Sequence, residues 1–186
     1  MCWREIDHMR FGVILKLDRN SADRISDIQS TLTGGEEDDP FQIYDIIYGI
    51  DPHLTFALYD DIEPSIIIDA IESVFQDTAP IPIDFASIAL FPGSVLYLAP
   101  RVTLELLKFH TAFHRFTGLS ANACDVHYLP EAWVPHCSLG VPLPVEELSR
   151  AMMKVGYGWT PVEGHLVSAE FVSFPPVTSL HLNQFE

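Results

Sequence analysis

The chain has 186 residues, 48% hydrophobic and 19% charged, with a formal net charge of −16. This much apolar side chain excludes a disordered chain. Ten Lys and Arg against 26 Asp and Glu argue against a protein that grips long nucleic acid or an anionic membrane through clustered cations. Three scattered cysteines, Cys2, Cys124 and Cys137, make neither a disulfide framework nor a CxxC site. The N-terminus has no signal-peptide layout, and no apolar run approaches the roughly 20 residues of a membrane helix. A cytoplasmic protein is the expectation.

Alternating hydrophobicity predicts a strand over residues 11–17, with Phe11, Val13, Leu15 and Leu17 on one face. Asn20 or Ser21 is placed to cap a helix carrying Ala22, Ile25, Ile28 and Leu32, which Gly34 would end. Residues 36–40, Glu-Glu-Asp-Asp-Pro, read as a solvated acidic turn. A strand over His53–Tyr59 precedes a helix opened by Pro64 and carried by Ile67, Ala70, Ile71, Val74 and Phe75. Strands over 83–91 and 95–99 flank the turn pair Pro92-Gly93. The next helix has Val102, Leu106, Phe109, Phe113 and Phe116 as its stripe and Gly118 as its stop. Beyond the irregular residues 119–134 come a strand over 136–142 and a helix over 144–155 with Glu146 and Glu147 in its first turn. Two strands, near 165–174 and 178–182, close the chain.

Both halves of this layout read strand, helix, strand, helix, strand, with one strand left over. A shift of 83 residues lays Pro52-His53-Leu54-Thr55 on Pro135-His136-Cys137-Ser138 and, without a gap, Phe91-Pro92 on Phe174-Pro175. The register points to duplication into two pseudo-symmetric lobes, about 11–91 and 95–174, within one domain spanning 1–186.

The repeated element is His-x-Thr/Ser in a strand. Residues i and i+2 of a strand share a face, so His53 stands with Thr55 and His136 with Ser138, while Leu54 and Cys137 point away. A cleft between the two copies would hold two imidazoles and two hydroxyls. One neutral imidazole can take a proton and a protonated one can give it, since the ordinary His pKa lies near neutrality. The hydroxyls can donate to phosphate oxygens. That set suits phosphodiester chemistry without a metal.

Pro52-His53-Leu54-Thr55-Phe56 and Trp133-Val134-Pro135-His136-Cys137-Ser138-Leu139 resemble the two HxTx motifs of the 2H phosphoesterase superfamily, in its 2′-5′ RNA ligase-like branch. The resemblance covers nearly the whole chain. It implies a bilobal, duplicated α+β fold, with two pseudo-symmetric antiparallel-rich sheets and flanking helices around a central cleft. It implies metal-independent hydrolysis, or reversible formation, of 2′,3′-cyclic phosphates or 2′-5′ phosphodiesters, with no cofactor. His53 and His136 would then move protons, and Thr55 and Ser138 would bind phosphate. The implied partner is a small nucleotide or short oligonucleotide, with no long nucleic acid and no membrane, met by a monomer. Two departures stand out: Ser replaces Thr in the second motif, and Leu139-Gly140-Val141 supplies no cation after it. A non-catalytic binder of nucleotides or RNA termini on the same fold is the alternative, and the lack of a GxSxG elbow leaves a serine esterase unsupported.

The other candidates carry less. His110 and His114 are four apart on a helix, but Thr111 stands where HExxH needs Glu, so they are read as a partly exposed flank and not as metal ligands. His8, His127 and His165 read as surface or local hydrogen-bonding residues. Tyr97 and His181 could reach the cleft, although sheet packing is the preferred reading for both. Cys137 reads as a small buried apolar residue.

Overall fold

Residues 9–32, 50–92, 95–118, 123–140 and 145–186 are described in a computed structural model of the protein. Their elements, in chain order, are β1 (Arg10–Leu17), α1 (Arg19–Leu32), β2 (His53–Tyr59), α2 (Pro64–Phe75), β3 (Ile81–Phe91), β4 (Val95–Pro100), α3 (Leu104–Thr117), β5 (Cys137–Ser138), α4 (Val145–Gly156), β6 (Val162–Phe174) and β7 (Thr178–Gln184). The fold is α+β, with antiparallel pairing in every ladder.

The two sheets expected with the duplicated fold are instead one seven-stranded sheet of order β2-β1-β6-β3-β4-β5, with β7 also on β6. The cause is the length of β6. Its 13 residues pair with β1 over 166–174 and with β3 over 162–166, so the ladder never breaks. The order reads the same from either end when β1, β2 and β3 are exchanged for β4, β5 and β6. Neither half keeps its third strand to itself: β3 pairs with β4, and β6 with β1.

Val13, Leu15 and Leu17 join the core, as does Ile14 from the opposite face of β1. At its centre Phe56 meets Phe75, Phe113 and Trp133 at ring separations of 5.8, 5.8 and 5.3 Å. Replacing such a fully buried aromatic by Ala costs about 3–5 kcal/mol.

Three local expectations are corrected. Asp18, not Asn20 or Ser21, caps α1: its Oδ1 accepts from the Ser21 N–H at 3.1 Å, and its C=O accepts from the Ala22 N–H. The buried stripe of α3 is Leu106, His110, Phe113, His114 and Thr117. Val102 lies ahead of that helix and is 52% exposed, and Phe116 on its far side is 50% exposed. Of the strand expected over 136–142, residues 141–142 lie outside the described residues; among the described ones pairing is confined to Cys137–Ser138, against Leu98 and Tyr97, followed by the Leu139 N–H donating to the Leu96 C=O at 2.9 Å. Gly34, the acidic residues 36–40, Gly93 and Pro144 lie outside the described residues.

The Asp18 cap also holds β6, because its Oδ2 accepts from the His165 N–H at 2.6 Å. Gly164 lies directly beneath, where a Cβ would run into Ser21 and Asp18. Gly164→Ala should therefore lower the unfolding free energy by about 1–3 kcal/mol, the usual cost of overpacking. Gly156→Ala, facing open space, should not lower it. Urea denaturation of the two variants checks the contrast.

Candidate functional site

β2 and β5 stand at opposite ends of the strand order, yet they touch. The chain leading into β5 runs along β2 and fastens to it. Cys124 bridges Tyr59, and the Asp125 N–H donates to the Leu58 C=O at 2.9 Å. Trp133 Nε1–H donates to the Thr55 C=O at 3.1 Å, and His110 Nε2–H to the Phe56 C=O at 3.1 Å. The indole and imidazole of these two donors stack 3.9 Å apart. On the other motif, the Gln29 amide donates to the Ser138 C=O at 3.1 Å.

This closure leaves a cavity of about 490 Å³ with His53, Thr55, His136 and Ser138 all in its lining. The two imidazoles are held alike. His53 Nδ1–H donates to the Asp51 C=O at 2.8 Å, and His136 Nδ1–H to the Val134 C=O at 2.7 Å. A carbonyl only accepts, so each Nδ1 carries its hydrogen and each Nε2 is the nitrogen left to bind or release a proton. Burial holds both imidazoles below their usual pKa. For His53 the Asp51 carbonyl partly offsets this, while the nearby charges of His136 and Lys16 add to it. For His136 the Val134 carbonyl opposes burial. The two surroundings differ. His136 is ringed by Phe91, Tyr97 and Tyr128 at 4.8, 5.5 and 6.4 Å, whereas His53 faces Lys16 across the β1–β2 ladder.

Sequence reasoning missed several wall residues. Arg10, Gly12 and Ile14 project from the face of β1 opposite to the one read from its apolar pattern, and Asp51, Asp125 and Tyr128 complete that side. Tyr128 stays protonated, since burial pushes its phenol far up. No local pattern marks Arg10 or Asp125, although the cationic residue at the start of β1 was visible.

The secondary candidates separate. His110 and His114 are not an exposed flank but are 1% and 8% exposed, because their helix face turns toward β2. His127 lines the cavity and donates from Nδ1 to Asp125 Oδ1 at 2.9 Å. Tyr97 stacks on Phe91 beside His136, while His181 turns toward Glu72, 3.4 Å away. His165 gives its backbone N–H to Asp18, and His8 lies outside the described residues. The Cys137 thiol is buried, with its pKa pushed up to about 12, so it stays protonated. Among the described residues, no three His, Cys, Asp or Glu gather as a metal site, and no helix is long and apolar enough to cross a membrane.

The model of the 2′-5′ RNA ligase superfamily matches residues 17–174. The chain belongs to that superfamily. Among solved structures it is similar to E. coli LigT complexed with 3′-AMP, at 11% identity and a TM-score of 0.64, covering 95% of this chain and 98% of that one. It is also similar to a protein of Thermus thermophilus, at 13% identity and a TM-score of 0.62, covering 95% and 97%. A structure described as a phosphoesterase matches at 11% identity with a TM-score of 0.60, covering 96% and 99%. No curated protein sequence matches the chain. At these identities the solved structures speak for the fold, and the superfamily match carries the assignment.

The buried histidines of α3 tie stability to pH. Burial, with the neighbouring His114 charge, lowers the His110 pKa to about 3, against 6.5 for a free imidazole. The unfolded chain therefore takes up the proton first. The stabilisation is full above pH 6.5 and lost as pH falls toward 3, with a slope approaching about 1.4 kcal/mol per pH unit per proton. His110→Gln, which keeps an N–H donor, should flatten this dependence in urea titrations across that range.

Proposed function

We propose that the protein is a phosphodiesterase that opens 2′,3′-cyclic phosphates, or cleaves and reversibly forms 2′-5′ phosphodiester bonds, in small nucleotides or oligonucleotide ends. The observation that supports this reading is the matched pair of Nδ1–H···O=C bonds, which leaves both Nε2 atoms free for proton transfer in one cavity. Membership of the superfamily supports it, and LigT, of similar fold, is described in complexes with 3′-AMP and NADP+.

One neutral Nε2 takes a proton from water as the water oxygen bonds to phosphorus. The other Nε2–H gives its proton to the ribose oxygen as the P–O bond breaks. Thr55 and Ser138 donate to the non-bridging oxygens, where charge develops. With the hydroxyl of a second chain end in place of the water, the same two proton transfers open the ring and join two ends, and that transesterification run backwards cleaves the 2′-5′ bond and re-forms the ring. Histidines supply both proton transfers, so turnover should persist in EDTA.

Four substitutions test the roles. His53→Ala and His136→Ala should each lower kcat by about 10²–10⁴, the usual weight of one acid–base group. Thr55→Val and Ser138→Ala should each cost about 2–4 kcal/mol of transition-state stabilisation and leave the pH profile unchanged in shape. Turnover of 2′,3′-cyclic nucleotides measures all four. Nucleotide binding without turnover in the wild type would favour a non-catalytic binder instead.

The pH dependence is a separate check. Burial lowers both imidazole pKa values in the free protein, so the bell in kcat/KM should peak below about pH 6.5 and decline through neutrality. A phosphate between the rings stabilises their charged forms, so the bell in kcat should lie at higher pH. Coincident bells in the two parameters would contradict this electrostatic picture.

A further inference from the structure

Arg10 is the single Arg or Lys among the described residues lining the cavity, against two lining aspartates, Asp51 and Asp125. Its side chain is 7% exposed and already engaged: Nε lies 2.6 Å from Asp60 Oδ1, and a terminal nitrogen lies 3.7 Å from Asp125 Oδ2. Lys16, the cross-strand partner of His53, is engaged in the same way, 3.6 Å from Asp51 and 3.5 Å from Glu170. Each cation thus stands between two carboxylates. Asp125 is ionised at neutral pH: burial pushes its carboxyl up, but the hydrogen bonds from His127 and the charges of His127 and Arg10 outweigh this and hold it below the usual range.

In the working state the motif pair offers one positive charge, on whichever imidazole is protonated, together with two hydroxyls. That matches one anionic phosphodiester. A second phosphate would meet carboxylates whose cations are already shared, at an open-mouthed cavity where like charges repel more strongly than in bulk water and added salt still reaches them. Like-charge juxtaposition is a recognised means of turning away wrong ligands.

We propose that the cavity selects substrates carrying a single negative charge, namely nucleoside 2′,3′-cyclic phosphates without a further phosphate group. This rests on the phosphodiesterase reading above and names its substrate class. It also accounts for release. Ring opening converts a monoanionic diester into a monoester whose second ionisation lies near pH 6, so the product gains charge in the cavity and is pushed out.

The test compares adenosine 2′,3′-cyclic phosphate with the same compound bearing a 5′-phosphate. At low ionic strength kcat/KM should favour the first by at least about tenfold, and the gap should shrink several-fold near 0.3 M salt, where the Debye length is only a few ångströms. Asp51→Asn and Asp125→Asn should each narrow the gap at low salt. The ratio of two substrates is read on one preparation, so partial misfolding of a variant does not alter it. Equal kcat/KM for the two compounds, or a gap indifferent to salt and to both variants, would overturn the proposal. If neither compound is turned over, the phosphodiesterase reading falls, and calorimetry then judges charge selection alone. Adenosine 3′-phosphate should bind more tightly than adenosine 3′,5′-bisphosphate at low salt, and the reverse order would overturn the inference.

Discussion

Strands β2 and β5 end the hydrogen-bonded order of the sheet, and the cavity exists because the sheet curls until they meet. β2 has only β1 as a ladder neighbour, so its other edge would expose carbonyls that a sheet normally satisfies. The residues entering β5, together with His110 of α3, satisfy them instead. Trp133 and His110 donate to the Thr55 and Phe56 carbonyls, and the Asp125 amide donates to Leu58. The same indole that lies three residues before His136 is thus bonded to the backbone of Thr55. Edge satisfaction and site assembly are one event, because the bonds that finish β2 also set one motif against the other.

Much of this was legible where the information is local. β2 falls on the expected residues, α2 opens at Pro64, α3 ends at a left-handed Gly118, and the motif pair lies in one cavity. What escaped depends on partners distant in sequence. Asp18 outcompetes Asn20 and Ser21 as a cap because it also serves His165, 147 residues on. His110 and His114 are inside because β2 and Trp133 pack on their helix face, which no helical periodicity reveals. β1 was read by its apolar face, yet both faces are buried, so Arg10 and Gly12 were overlooked. The repeat points to two lobes, but identities in register do not show where a third strand pairs, and the single sheet depends on that.

The pseudo-symmetry of backbone and motif does not extend to the surroundings. One imidazole sits among aromatic rings and the other beside a lysine locked between carboxylates. Equivalent atoms are thereby placed in unequal fields, so the two motif histidines differ chemically although their backbone settings are alike. The acidic sequence then makes sense locally as well as globally, since the carboxylates that flank Arg10 and Lys16 contribute to the character of the cavity.

Each working imidazole is oriented by a main-chain oxygen two residues upstream, contributed by an aspartate in one half and a valine in the other. A main-chain oxygen is the same whichever amino acid supplies it. Selection on ring orientation therefore places no demand on the side chains at these two positions. A change of side chain at position 51 or 134 alters the cavity wall and leaves in place the carbonyl that aims the ring. The scaffold thus separates how the histidines are aimed from the charge and apolarity of the cavity wall beside them.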